Sequence, residues 1–252
     1  MAPGDHQSLH AKLIAVADKA ALAQAAADRI VARIAANPER VAICLAGGSS
    51  PKLLYQLLAA EPWRDRIAWP RVHWFIGDER FVSPDDEGHN MAMARRILLD
   101  GLAPLANIHP IPTNTADPHQ AARRYEAELK SFYGADRLDP ARPLFDLVLM
   151  GIGPDGHTAS LFPGDAAVAE TERWVVGVDQ APLDPRVPRV TLTLPTLGAC
   201  REMLFELAGA EKRPILTRLL GGENLPANHA RASGETVWLV DQAALPESFS
   251  GR

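Results

Sequence analysis

Asp155 and His157 stand two residues apart in the run Gly151-Ile-Gly-Pro-Asp-Gly-His157. An imidazole titrates near neutrality, and a nearby carboxylate fixes its tautomer and orients it, so the pair has the chemistry of a general base with its support. That spacing joins the two side chains only in a bent backbone, which Gly151 and Gly153 would permit. The bland alternative is a histidine that caps a turn. Three further stretches are suited to an anion. Gly47-Gly48-Ser49-Ser50-Pro51 leaves backbone N–H groups open ahead of a helix, with Ser50 as a fair N-cap and Pro51 at the first helical position. Gly77-Asp78-Glu79-Arg80 offers Arg80 to clamp a phosphate or carboxylate and Asp78 to orient a hydroxyl or water. Lys212 and Arg213 fall in the first turn of an expected helix, the wrong end for the dipole unless an anion sits there. Each has an ordinary reading too: a βα loop, a solvated turn, a cation offset by Glu211. Arg189, His73 and His89 are weaker candidates, and a zinc site from His157, Asp155 and His89 has no ligand spacing behind it.

The pattern Gly151-x-Gly153-x-x-Gly156 after an apolar run also matches a dinucleotide fingerprint, with Asp179 at about the right distance. Three features oppose it. Asp155 would put negative charge where a pyrophosphate lies, Pro154 removes an N–H donor, and Pro163-Gly164 stops any helix after about two turns. Together the four stretches describe instead one pocket for a small phosphorylated molecule.

Those residues need elements to carry them. Leu144 to Met150 is the near-continuous apolar run of a strand buried on both faces. Lys12–Val16, Val41–Ala46, Val72–Ile76, Trp174–Val178, Val190–Leu194, Met203–Leu207 and Val237–Val240 also read as strands. Helices are expected from Asp18 to Asn37, after Pro51, near His89 to Leu99, from Asp117 to about Tyr133, and from about Glu211 to Leu220. Alternating strands and helices predict a single Rossmann-like α/β domain over residues 1–252, its mostly parallel sheet flanked by helices on both faces. Ligands of such sheets sit at the carboxyl ends of the strands, where each candidate stretch falls.

Composition narrows the partners. Hydrophobic residues make up 47% and charged residues 23% of 252, ordinary for a globular chain. A net charge of -5 and the lack of a basic tract argue against nucleic acid and anionic lipid. Only two cysteines, Cys44 and Cys200, occur, both in or beside apolar segments, which fits buried thiols in a reducing compartment. The start, Met1 to His6, lacks a signal-peptide pattern, and no apolar run approaches a membrane span, so a cytoplasmic protein is expected.

The segments Ala46–Pro51, Gly77–Arg80, Asn90–Arg95, Gly151–Pro163, Pro188–Thr193 and Val237–Asp241 resemble the 6-phosphogluconolactonase family, in order and over nearly the whole chain. The resemblance implies cofactor-free, metal-free hydrolysis of 6-phospho-D-glucono-1,5-lactone by a monomer or weak homodimer. It makes His157 the base and assigns the phosphate to Gly48, Ser49, Arg80 and Lys212, with Asp78 and Arg189 lining the pocket. Gly47, Ser50 and Asn90 lie within the same motifs. In the sister glucosamine-6-phosphate deaminases a glutamate supports the histidine where this chain has Phe162, which favours the lactonase. Ala46 and Ser50 depart from the family's usual Ser and Thr, and His89 from its usual Ser. The rivals are a deaminase or isomerase of the sister type and a non-catalytic sugar-phosphate sensor.

Overall fold

A computed structural model describes residues 11–247, so the polar start at Met1 to His6 lies outside the described residues. In chain order the strands are β1 (Lys12–Val16), β2 (Val41–Leu45), β3 (Val72–Ile76), β4 (Asp78–Arg80), β5 (Leu147–Met150), β6 (Val175–Val178), β7 (Arg189–Leu192), β8 (Glu202–Leu207) and β9 (Glu235–Asp241). The helices are α1 (Lys19–Ala36), α2 (Lys52–Leu58), α3 (Trp63–Arg66), α4 (Asn90–Ala94), α5 (Pro118–Tyr133), α6 (Leu194–Gly198), α7 (Arg213–Leu220) and α8 (Pro226–His229).

Local chemistry explains where the long helices begin and end. Asp18 accepts a hydrogen bond from Ala21 N at 2.8 Å and starts α1, which buries Leu22, Ala26, Ile30 and Ile34 along one stripe. Asp117 does the same for α5 through Gln120 N at 2.7 Å, and Gly134, with φ at +78°, ends it.

Six strands form a parallel sheet in the order β1-β9-β8-β5-β2-β3. Strands β2 and β5 are buried along their whole length, as expected of strands covered on both faces. At its amino edge, Asp146 accepts from Ala42 N at 2.8 Å and from Asn37 at 3.1 Å, tying the starts of β2 and β5 together. Cys44 and Cys200 are free and buried in the core, as expected, and burial pushes both thiols up.

The remaining three strands depart from the expected arrangement. They form a separate antiparallel sheet, β4-β7-β6, packed against α5. Gly77 to Arg80, expected to close a strand as a turn, instead contributes β4, in which Asp78 pairs with Thr191 and Arg80 with Arg189. The reason is tertiary: the partner strand lies more than a hundred residues away, and no local pattern announces it. The expected helix at Glu211 is also split, with Ala210–Lys212 forming a 3-10 turn ahead of α7.

Candidate active site

Loops following β2, β3, β5 and β8 meet over the carboxyl edge of the parallel sheet and line a cavity of about 240 Å³. That is below the roughly 300–1,000 Å³ of drug-sized pockets, and suits a small metabolite rather than a dinucleotide. Gly47, Gly48, Ser49 and Ser50 line it from β2, and His157 from the loop after β5. The remaining sequence candidates on its wall are Asp78, Arg80, Asn90, Arg189 and Lys212.

The loop after β2 owes its shape to its glycines. Gly48 takes φ of +81°, and a Cβ on Gly47 would run into the Asn90 carboxamide, which itself donates to Asp78 O at 3.0 Å. Ser50 is not the N-cap that its position suggests. Pro51 holds that place with helical angles and no side-chain cap, leaving Ser50 on the cavity wall.

Strand β4 sorts its charges by alternation. Asp78 and Arg80 line the cavity, whereas Glu79 turns into the protein and is fully buried. Glu79 accepts from Asn90 N at 2.6 Å and Met91 N at 2.9 Å, so it fixes the start of α4; burial pushes its carboxyl up to about 8 against those donors. His89 is the N-cap of that helix, accepting from Ala92 N at 3.2 Å, and does not line the cavity. His73 lies elsewhere, stacked on His109. Arg213 is turned away as well, donating to Ala243 O at 2.9 Å.

The three cations that reach the cavity share one property. Arg80 donates to Gly88 O at 2.9 Å while its buried Nε has no partner. Arg189 donates to Pro185 O at 2.8 Å and Lys212 to Ile152 O at 2.6 Å. Among the described residues none of the three makes an ion pair with a carboxylate, although burial lowers the pKa of both Arg189 and Lys212. Arg189 is buried and Arg80 and Lys212 are half-buried, so leaving them without an ion pair has a desolvation cost that an arriving anion offsets.

His157 and Asp155 meet as the bent-backbone reading requires. Asp155 Oδ1 lies 2.6 Å from His157 Nδ1 and accepts from His157 N at 3.1 Å, so the side chain holds both the ring and the turn. Gly153 N donates to His157 O at 2.8 Å, and the ring lies over Gly153 so closely that a Cβ there would displace it. With the carboxylate at Nδ1, the neutral ring carries its proton on that side and keeps Nε2 as an acceptor. Phe162, 2% exposed, packs its ring 4.8 Å from the imidazole. No helix follows Gly156 directly, so the dinucleotide geometry is absent, as Pro154 and Pro163 imply.

Sequence reasoning missed two contributors. Ser160 Oγ donates to Asp78 Oδ2 at 2.6 Å and joins the β5 loop to β4; only the pairing of distant segments reveals it. Glu206, on β8, also lines the cavity. Its signal was an acidic residue inside the apolar run Met203–Leu207.

Fold and cavity together define a Rossmann-like α/β protein whose carboxyl-edge cavity brings a carboxylate-supported imidazole beside Arg80, Arg189 and Lys212. Comparison with known proteins is more specific. Residues 17–238 match the family described as glucosamine-6-phosphate isomerases/6-phosphogluconolactonase, and the chain belongs to that family. A 6-phosphogluconolactonase from Synechocystis is 42% identical over 80% of this chain and 82% of its own length. The solved 6-phosphogluconolactonase of Trypanosoma cruzi is 30% identical, with a TM-score of 0.83 over 96% of this chain and 98% of that one. A monomeric glucosamine-6-phosphate deaminase is 22% identical with a TM-score of 0.76 over 92% of this chain and 98% of that one, a likeness of fold alone.

Proposed function

We propose that this chain hydrolyses 6-phospho-D-glucono-1,5-lactone to 6-phospho-D-gluconate, the second step of the oxidative pentose phosphate pathway. The observation that carries the reading is His157, held by Asp155, opening on the same small cavity as Arg80, Arg189 and Lys212, none of which is ion-paired among the described residues. The close 6-phosphogluconolactonase relatives support it.

In this mechanism His157 Nε2 takes a proton from water as the water oxygen attacks the lactone carbonyl carbon. Asp155 stabilises the imidazolium that forms. The tetrahedral intermediate then expels the ring oxygen, which takes that proton back, and the product acid ionises. Arg80 and Lys212, with the backbone of Gly48 to Ser50, hold the phosphate. Asp78, held by Ser160, accepts from a sugar hydroxyl. Arg189 completes the positive wall. The phosphate carries about -1.5 to -2 charge at neutral pH. Its binding energy, remote from the carbonyl, orients the reacting bond. A positioned base contributes about 10²- to 10⁴-fold, and a lactone is already an activated ester.

Phe162 separates this reading from the deaminase chemistry of the sister group. It fills the place beside His157 with an uncharged ring that has no proton to exchange. The purified protein is therefore expected to turn over freshly prepared phosphogluconolactone and to release no ammonia from glucosamine 6-phosphate. Ammonia release without lactone turnover would reverse the assignment.

A further inference from the structure

We propose that Glu206 is a further ligand-binding residue of this cavity, its carboxyl forming a hydrogen bond with an oxygen of the bound sugar phosphate. The inference rests on the sugar-phosphate reading above and names a group that the base and the cations do not include.

Position is the first argument. Strands β5 and β8 pair with Met150 opposite Phe205, so Glu206 comes next in register, level with Gly151. A Cβ built on Gly151 would meet nothing within 4 Å, so the strand end next to Glu206 borders open space. Glu206 is 3% exposed and lines the cavity.

Its lack of partners is the second argument. Three glutamates are buried, and two are matched. Glu79 accepts from Asn90, Met91 and Arg80 backbone N–H groups. Glu202, on the same strand as Glu206, is held by Arg29 and Arg33. Among the described residues Glu206 has neither hydrogen bond nor ion pair within the protein. Its carboxyl opens on the cavity, where a bound ligand can supply the partner that the protein does not.

The charges around it decide which form it takes. Lys19 of α1 acts on it from one side, and Tyr55 of α2 stands near with its hydroxyl committed to Ala46 O at 2.7 Å. Lys212 follows on the β8–α7 connection, and Asp78, Arg80, Arg189 and His157 share the cavity. Burial outweighs the Lys19 charge and pushes the Glu206 carboxyl up to about 8. Near neutrality it is a neutral acid, able to donate to a phosphate dianion without repelling it. As pH rises past about 8 it ionises, and the like charges oppose each other.

Isothermal titration of 6-phosphogluconate into the folded protein from pH 6.5 to 9.5, with gluconate as control, tests this. Wild-type affinity should fall by up to about tenfold per pH unit above pH 8, with proton uptake seen as a buffer-dependent heat. Glu206→Gln keeps a donor but cannot ionise, so the Glu206 part of that fall should vanish while any loss due to Lys212 remains. Glu206→Leu, apolar like its strand neighbours, should weaken binding about tenfold at pH 7. Superimposable wild-type and Glu206→Gln profiles would overturn the proposal, as would tighter binding by Glu206→Leu. If wild type neither binds 6-phosphogluconate nor turns over the lactone, the sugar-phosphate reading itself fails, and this proposal with it.

Discussion

A guanidinium whose buried Nε has no partner is costly to keep in a folded protein unless something arrives to meet it. Arg80 is in that position, and Lys212 beside it gives its ammonium only a backbone carbonyl. A hydrogen bond to a charged group is worth about 1.5–3 kcal/mol, roughly a 10- to 100-fold change. Arg80→Ala and Lys212→Ala should each raise KM for the phosphorylated lactone by about that factor, leaving the slow rate on unphosphorylated gluconolactone unchanged. If neither KM moves, the phosphate is held elsewhere. At this scale much was legible in the sequence, because residue type announces chemistry: His157, Asp78, Arg80, Asn90, Arg189 and Lys212 all reach the cavity. What residue type does not announce is whether a charge is already matched. His89 reads as a candidate ligand, yet it caps α4 beside Glu79. Glu206 escaped notice because its isolation is a property of its surroundings alone.

Elements turn those residues into a site, and the loop after β5 contributes most. Its bend rests on Gly153, over which the His157 ring lies, and on Gly156, whose φ is +91°. Gly153→Ala adds one methyl to a backbone position that does not need positive φ, so the fold should persist while the imidazole is displaced. A 1 Å misplacement at the reacting centre costs about 10²-fold, which is the fall in kcat to expect, with the melting temperature little changed. An unaltered kcat would show that the ring position is not set by this turn. The main strands and helices were legible from apolar runs and from caps such as Asp18 and Asp117. β4 was not, because a three-residue strand exists only through its pairing with β7. Ser50 failed as a cap for a similar reason: the chain makes its turn at Pro51.

On the scale of the whole molecule, parallel strand direction does the organising. It sends the ends of β2, β3, β5 and β8 to one edge, so residues spread from Gly47 to Lys212 converge on one cavity. The antiparallel sheet adds Asp78, Arg80 and Arg189 from the side, an arrangement that periodicity cannot encode. Away from the site, stability should carry its own pH signature. Burial, the neighbouring His109 and Arg40 hold the His73 imidazole down from 6.5 to about 4. The unfolded chain therefore binds more protons than the folded one in that window, so this stability is full above about pH 6.5 and is lost as pH falls toward 4. His73→Gln should lose melting temperature less steeply from pH 6.5 to 4 than wild type, and parallel slopes would remove His73 from the account. The central claim concerns His157. The most direct test is kcat of His157→Ala on freshly made phosphogluconolactone, corrected for spontaneous hydrolysis, with 6-phosphogluconate affinity measured alongside. With His157 as the base, kcat should fall by about 10²- to 10⁴-fold with affinity preserved. A variant that turns over near the wild-type rate would contradict that role.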